Sequence, residues 1–297
     1  MSAPFADRLI DGVRRLDTPL CVGLDPFPER IPALFGDIRA DLGALANFGS
    51  EIVEIAARYA AALKPQLGLF EQFGPDGVQI ARHLSEQAQS RGMVVILDAK
   101  RGDIGSTAEG YARASLGASP GFNADCVTVN PYLGRDSLEP FFALAETQGK
   151  GVAVLVRTSN PGARDLQDLD CSGAPLWRRT AEMIAPTSAR LMGQQGWSGL
   201  MAVAGATYPE EARALRTILP DALFLVPGYG AQGASALGAI AGFVQRSRRL
   251  EGGVVSSSRA LTYPPGAEKA RTLADLRPLI DAAMAASAAE LRAACLV

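Results

Sequence analysis

The chain has 297 residues, a formal net charge of -2 and 48% hydrophobic residues. A chain of this length can bury a large core, and its nearly balanced charge excludes a strongly basic nucleic-acid-binding protein. Asp7 and Asp11 interrupt the amino-terminal segment, and the longest uncharged run, residues 222–245, contains five glycines. Neither a secretory signal nor a membrane span is expected, so the sequence predicts a cytoplasmic enzyme without a nucleic-acid or membrane partner.

Short apolar runs alternate with amphipathic stretches of helical periodicity along the chain. The apolar runs are nearly continuous, as expected of parallel strands that are covered on both faces. The eight predicted strands are residues 20–25, 62–70, 93–100, 126–132, 151–158, 199–207, 223–228 and 252–259. Their strand-then-helix order, without a linker, predicts a single α/β domain over residues 1–297, a (β/α)8 TIM barrel. A doubly wound open sheet stays the alternative, because local patterns do not show whether a sheet closes.

Two connections are longer than a minimal loop, and both follow predicted strands. Residues 26–46 follow the first strand and are expected to be partly helical, and residues 159–175 follow the fifth. In a barrel both would lie at the carboxyl-terminal face, where loops form the active site. The alanine-rich stretch from Ala267 onward predicts a closing helix.

Cysteine and histidine usage limits the chemistry. Four widely spaced cysteines without a C-x-x-C pair predict free thiols. His83 is the only histidine, and the helical pattern around it predicts a solvated or packed helix residue and not a catalytic one. A histidine-rich metal site is therefore not expected.

Polar side chains recur where the predicted strands end. Strands often become polar where they meet water, but that explains poorly why carboxylates and lysines gather on three consecutive strands. The candidate site residues at these ends are Asp25, Lys64, Asp98, Lys100, Asn130, Ser159, Pro227 and Arg259.

The stretch "LDAKRGDIGST", residues 97–107, carries the densest charge. Asp98 and Lys100 are two apart on a strand and point to the same side, while Asp103 follows Gly102 past the strand end. An ammonium group between carboxylates stays protonated, which suits a proton donor and not a Schiff-base nucleophile. A fixed charge at Asp98 would repel a substrate carboxylate until it leaves as carbon dioxide. This pattern predicts a decarboxylase that needs no metal or organic cofactor.

The residues around this stretch are assigned structural roles. Ser106 and Glu109 match a capping box and predict a helix that begins at Ser106. Arg101 is expected to point away from Lys100 and to form a surface ion pair.

A second signal points to phosphate. "VPGYGAQGAS", residues 226–235, follows the seventh strand with glycines at 228, 230 and 233, and Arg259 follows the eighth. Glycines let backbone N–H groups approach an anion, and arginine offers a forked donor. The loops after strands seven and eight are the common phosphate site of such barrels.

Together these motifs resemble the orotidine 5′-phosphate decarboxylase family, in its longer bacterial subgroup. The most specific match is "LDAKRGDIGST", which fits the signature D-x-K-x-x-D-I-x-x-T, and "TSNPG" and "PGYGAQG" follow in the expected order. The resemblance covers nearly the whole chain. It implies conversion of orotidine 5′-phosphate to uridine 5′-phosphate in pyrimidine synthesis, by a homodimer with shared active sites.

The resemblance also implies residue roles. Lys64, Asp98, Lys100 and Asp103 would form a charged catalytic array in which Lys100 donates the proton. Asp103, Ile104 and Thr107 would enter the neighbouring subunit's site. Asp25 and Lys64 would contact the ribose, and Ser159 would contact the edge of the pyrimidine. Gln232 and Arg259 would hold the phosphate, with Asn130 and Pro227 beside the substrate. Tyr229 would either contact the phosphate or serve as a packing residue.

Two alternatives remain open. A Mg²⁺-dependent decarboxylase or aldolase acting on sugar phosphates would need a carboxylate ligand on the second strand, where this chain has Lys64. A silent binder of phosphoribosyl ligands would keep Arg259 and the glycine loop but lose the charged array.

Overall fold

The computed structural model describes residues 3–230, 233–246 and 248–297. Within these ranges eight parallel strands close into a barrel in the order β1-β8-β7-β6-β5-β4-β3-β2. The strands are β1 (Leu20–Leu24), β2 (Ala62–Pro65), β3 (Val94–Arg101), β4 (Cys126–Val129), β5 (Gly151–Arg157), β6 (Ser198–Ala204), β7 (Ala222–Val226) and β8 (Gly253–Ser257). The predicted (β/α)8 TIM barrel is confirmed, and the open doubly wound sheet is wrong. The extent of one domain over residues 1–297 stays a prediction.

Helices surround the barrel and connect its strands. They are α1 (Phe5–Leu16), α2 (Gly43–Ala56), α3 (Leu67–Glu71), α4 (Gly74–Ser90), α5 (Gly105–Leu116), α6 (Arg135–Gln148), α7 (Ala163–Gln167), α8 (Leu176–Ile184), α9 (Pro209–Ile218), α10 (Ala236–Ala239), α11 (Arg259–Thr262) and α12 (Leu273–Ala294). A short antiparallel pair, Val244–Arg246 with Arg249–Glu251, precedes β8. Short 3-10 turns at Pro28–Arg30 and Ala33–Phe35 account for the helical character expected in residues 26–46.

The core has two layers, one inside the barrel and one between the barrel and the helices. Phe5, Leu9 and Ile10 of α1 are fully buried in the inner layer. A side chain at Gly151, the first residue of β5, would meet the Phe5 ring at 2.4 Å, so glycine makes room there for α1. Because α1 closes the amino-terminal end, the carboxyl-terminal end is the one that stays accessible.

Two local predictions are wrong. The second strand ends at Pro65 and not at residue 70. Gln66 still bridges to Asp98, and from Leu67 the chain turns into α3. The predicted capping box does not form. Helix α5 begins at Gly105, one residue earlier than expected, so its N-cap is Ile104 and not Ser106. Glu109 pairs with Arg113 at 3.3 Å.

Other predictions about single side chains hold. All four cysteines are free, and His83 is exposed on α4. Arg101 points away from Lys100 and pairs with Glu71 at 2.5 Å. None of the helices in the described ranges has the length and apolarity required to cross a membrane.

Candidate active site

A cavity of about 1210 Å³ opens at the carboxyl-terminal end of the barrel. Its lining comes from the ends of several strands, so residues far apart in the sequence meet there. Eight of the predicted site residues line it: Asp25, Lys64, Asp98, Lys100, Asn130, Ser159, Pro227 and Arg259.

The Asp98 carboxylate is the centre of the polar network in this cavity. Its Oδ2 accepts hydrogen bonds from Lys64 Nζ at 2.7 Å and Gln66 Nε2 at 3.0 Å. Its Oδ1 accepts from Lys100 Nζ at 2.5 Å and Thr128 Oγ1 at 3.0 Å. Two ammonium groups therefore share one carboxylate, and each oxygen has one charged and one neutral donor.

Burial and charge together set the protonation of this network. Asp98 is only 6% exposed and Lys64 only 7%. Burial alone would raise the pKa of Asp98, but the positive charges of Lys64 and Lys100 outweigh it and hold that pKa well below its usual value. Burial would likewise lower the pKa of Lys64, but Asp98 and Asp25 hold it well above its usual value. Asp98 and Lys64 are therefore both charged at neutral pH.

Lys100 reaches Asp98 through an irregular strand end. Between Leu97 and Arg101, β3 carries two more residues than β4 does between Val127 and Val129. Lys100 adopts φ +46°, in the left-handed region that non-glycine residues rarely occupy. Its backbone N–H donates to Thr128 Oγ1 at 2.9 Å, and this bond holds the unusual conformation. Side chains and backbone of two neighbouring strands thus position the Lys100 ammonium group together.

Asp25 lies beside this network at the end of β1. Its Oδ2 accepts from Ser258 Oγ at 2.6 Å, and its backbone carbonyl accepts from the Tyr263 hydroxyl at 2.8 Å. Its Oδ1 is buried and has no hydrogen-bond partner among the described residues. An acceptor oxygen at the cavity wall is therefore available for a donor from a ligand.

A free cation and a glycine-rich turn lie at another side of the cavity. Arg259 begins α11 directly after β8, and its guanidinium forms no ion pair or hydrogen bond with any residue in the described ranges. Gly228 and Gly230 both have positive φ, 101° and 75°, which only glycine adopts without strain. Tyr229 between them donates its hydroxyl to Glu290 of α12 at 2.6 Å, so it packs as an anchor for this turn. Gln232 lies outside the described residues.

Three predicted residues do not line the cavity of their own chain. Asp103 does not contact Lys100; its Oδ1 accepts from the backbone N–H of Ile104 at 2.8 Å. The expected pair of carboxylates around Lys100 is thus not formed within one chain, because Asp103 lies beyond the strand end. Ile104 and Thr107 point outward at the start of α5, and Ile104 is 57% exposed.

Comparison with known protein families identifies the family to which this chain belongs. Residues 18–272 match the family model described as "Orotidine 5'-phosphate decarboxylase / HUMPS family". The chain belongs to this family. The resemblance seen in the sequence is confirmed.

Relatives of this family cover nearly the whole chain. The orotidine 5′-phosphate decarboxylase of Rhodopirellula baltica is 38% identical over 294 residues, which is 95% of this chain and 96% of that protein. The one of Haloarcula marismortui is 43% identical over 260 residues, 87% of each. The solved structure of Leishmania donovani OMP decarboxylase is 30% identical in sequence, and its match covers 98% of both chains with a TM-score of 0.76. The chain is therefore an enzyme, a carbon–carbon lyase of the decarboxylase family.

Sequence reasoning missed part of the polar network around this cavity. Thr128 was not predicted, yet it holds both the Asp98 carboxylate and the Lys100 backbone. Its signal was a hydroxyl in the apolar run "CVTV", two residues before Asn130 and therefore on the same side of the strand. Ser258 and Tyr263 around Asp25 were also missed, because their contact spans more than 230 residues of sequence and leaves no local pattern.

Proposed function

We propose that this enzyme decarboxylates orotidine 5′-phosphate to uridine 5′-phosphate in pyrimidine synthesis, in the cytoplasm and without a metal or organic cofactor. One observation carries the proposal. The buried carboxylate of Asp98 lies between the ammonium groups of Lys64 and Lys100, at 2.7 Å and 2.5 Å, in a cavity at the carboxyl-terminal end of the barrel.

The reaction needs one proton donor and a place for developing charge. When the bond between the ring and the carboxylate breaks, carbon dioxide leaves and the electron pair stays on the ring carbon. Lys100 donates a proton to that carbon and becomes a neutral amine, which solvent then reprotonates. Asp98 disfavours the substrate carboxylate beside it and accepts a hydrogen bond from Lys100 Nζ, which holds the proton donor in place. Lys64 is held on Asp98 by the buried ion pair and fixes its orientation.

The rest of the cavity suits a nucleoside monophosphate. Asp25 Oδ1, buried without a partner among the described residues, is suited to accept from a ribose hydroxyl, with Lys64 as the neighbouring donor. Arg259, unpaired in the described part of the chain, is suited to bind phosphate together with Gln232. Ser159 is assigned to the edge of the pyrimidine, and Asn130 and Pro227 to the surrounding wall.

The proposed enzyme is a homodimer with shared sites. Asp103, Ile104 and Thr107 face away from their own cavity, and a largely exposed isoleucine favours burial against a partner. In the dimer the partner's copy of Asp103 would complete the array by supplying the second carboxylate beside Lys100. Tyr132 and Leu133, 75% and 47% exposed, extend the apolar surface near the cavity rim.

The main rival is a Mg²⁺-dependent enzyme acting on sugar phosphates. It would need an oxygen ligand at the position of Lys64, whose buried ammonium group is committed to Asp98 and would repel a divalent cation. Among the described residues no group of three or more histidine, cysteine or acidic side chains is arranged to hold a metal ion.

The test follows the loss of absorbance of orotidine 5′-phosphate with purified, EDTA-treated protein. Turnover in EDTA supports the proposal. Turnover that appears only after Mg²⁺ is added would favour the metal-dependent rival. Tight binding of uridine 5′-phosphate without turnover in either condition would identify a silent binder.

A further inference from the structure

The 159–175 segment folds back onto the end of β5. Two consecutive residues at that end contact two consecutive residues of the segment. The Arg157 guanidinium lies 2.7 Å from Asp168 Oδ1, and the Thr158 backbone N–H donates to Gln167 Oε1 at 3.0 Å. We call these four residues the β5 clamp. They join the two ends of the loop formed by residues 159–166.

Burial of Arg157 makes this clamp stiff. Its side chain is 1% exposed, which is rare for arginine, so its charge requires partners on every side. Glu211 of α9 accepts from Nε at 2.5 Å and from a terminal nitrogen at 3.2 Å. The guanidinium also lies 4.0 Å from the centre of the Tyr208 ring. Asp168 supplies the remaining side, so the segment can leave only by uncovering a buried charge.

The clamp ends beside the residues that face the cavity. Gln167 Nε2 donates to Thr158 Oγ1 at 2.8 Å, and that hydroxyl donates to Asn160 Oδ1 at 2.7 Å. Ser159 lies between these two bonded residues and lines the cavity with both of them. Its backbone also rests on Gly205, where an added Cβ atom would come within 3.1 Å of Ser159 Cα. The Ser159 backbone is thereby held by its bonded neighbours Thr158 and Asn160 and by its packing against Gly205.

We propose that Gln167 and Asp168 are positioning residues, which act through Ser159 to set the enzyme's affinity for the nucleobase. This inference rests on the proposed function, in which Ser159 reads the pyrimidine edge. A contact that is already fixed before binding costs less conformational entropy when the ligand arrives. The clamp therefore acts on the base and not on the ribose or the phosphate, which other strands bind.

The test compares two ligands that differ by the base. Binding of uridine 5′-phosphate and of ribose 5-phosphate is measured by calorimetry for Asp168→Asn and Gln167→Met, which keep side-chain size but remove charge or hydrogen bonds. Uridine 5′-phosphate should bind about tenfold more weakly, the effect of one lost charge-assisted contact, while ribose 5-phosphate is unaffected. Asp165→Asn is the matched control, because Asp165 is an exposed aspartate of α7 without an ion pair in the described part of the chain. It should behave as wild type.

A double-mutant cycle separates positioning from general damage. In a Ser159→Ala background, Asp168→Asn should cause almost no further loss, because the group that it positions is gone. The positioning role would be refuted by additive losses of affinity in the double variant, by equal weakening of uridine 5′-phosphate and ribose 5-phosphate binding, or by the same loss in Asp165→Asn. If wild-type protein neither binds uridine 5′-phosphate nor turns over orotidine 5′-phosphate, the proposed function itself fails. Normal wild-type behaviour with unaffected Asp168 and Gln167 variants would refute the clamp alone.

Discussion

Replacing Asp98 by asparagine tests the network at the centre of the cavity. The substitution keeps the shape of the side chain but removes the negative charge that both lysines share. Lys64 is buried, so its ammonium group would lose its main compensating charge and keep Asp25 as its nearby carboxylate. Lys100 is half exposed, and water replaces much of what it loses. The stability effect should therefore come mainly from Lys64.

The expected magnitude depends on pH in a defined direction. Removing one partner of a buried ion pair costs about 3–5 kcal/mol, so the free energy of unfolding should fall by about that amount near neutral pH. In the wild type the pKa of Lys64 is raised in the folded state, so its stabilising contribution is complete below the unfolded value and is lost only as the pH rises through the folded value. In Asp98→Asn, burial without Asp98 should lower the pKa of Lys64 below the unfolded value. As the pH rises from that lowered folded-state pKa of Lys64 to its unfolded-state pKa, the variant regains about 1.4 kcal/mol of unfolding free energy per pH unit.

Urea unfolding of both proteins at about pH 7 and about pH 9.5 measures this difference, and the deficit should shrink by more than about 1 kcal/mol at the higher pH. Thr128→Val is the control, since it removes a neutral donor to the same carboxylate together with the acceptor of the Lys100 N–H. It should cost about 1–3 kcal/mol with no such pH dependence. A deficit that stays constant with pH would refute the argument, because it would mean that the charge of Lys64 is not what Asp98 compensates.

The remaining predictions concern turnover and ligand binding. Lys100→Ala should lower kcat by about 100-fold or more without unfolding the protein, and turnover close to wild type would remove Lys100 as proton donor. Arg259→Ala should weaken uridine 5′-phosphate binding by about tenfold to 100-fold but leave uridine binding unchanged, and calorimetry with both ligands checks this. Mixing Lys100→Ala with Asp103→Ala chains should restore up to about a quarter of wild-type activity, since half of the dimers are mixed and one of their two sites is intact. No recovery despite subunit exchange, seen by native mass spectrometry, would contradict shared sites.

The strands and their order could be predicted from the sequence because each strand is a nearly continuous apolar run. Their ends were harder to predict. Residues 67–70 continue the apolar pattern of β2, but they form the short helix α3. A run of apolar residues does not distinguish a buried strand from a short buried helix, so the whole run was predicted as one strand.

The candidate site was predictable where function leaves a local pattern. Asp98 and Lys100 stand out as charges at the end of an apolar strand. The partners of Arg157 do not stand out, since Asp168 and Glu211 are ordinary acidic residues in helical or loop sequence. The pairing of β5 with β6 brings the end of α7 and the start of α9 to the same guanidinium. The clamp is therefore a property of the tertiary structure, and the sequence contains only its parts.

Lys100 shows why a correct residue prediction does not imply a correct local geometry. Regular alternation along β3 would have aligned Asp98 and Lys100 without distortion, but the strand bulges and Lys100 takes a positive φ. Glycine would adopt that conformation at lower cost, but it carries no ammonium group. The conformation persists because Thr128 bonds the backbone and Asp98 bonds the side chain at 2.5 Å. A strained residue held from both ends by its neighbours is the kind of position for which a functional role is proposed, as it is here for Lys100.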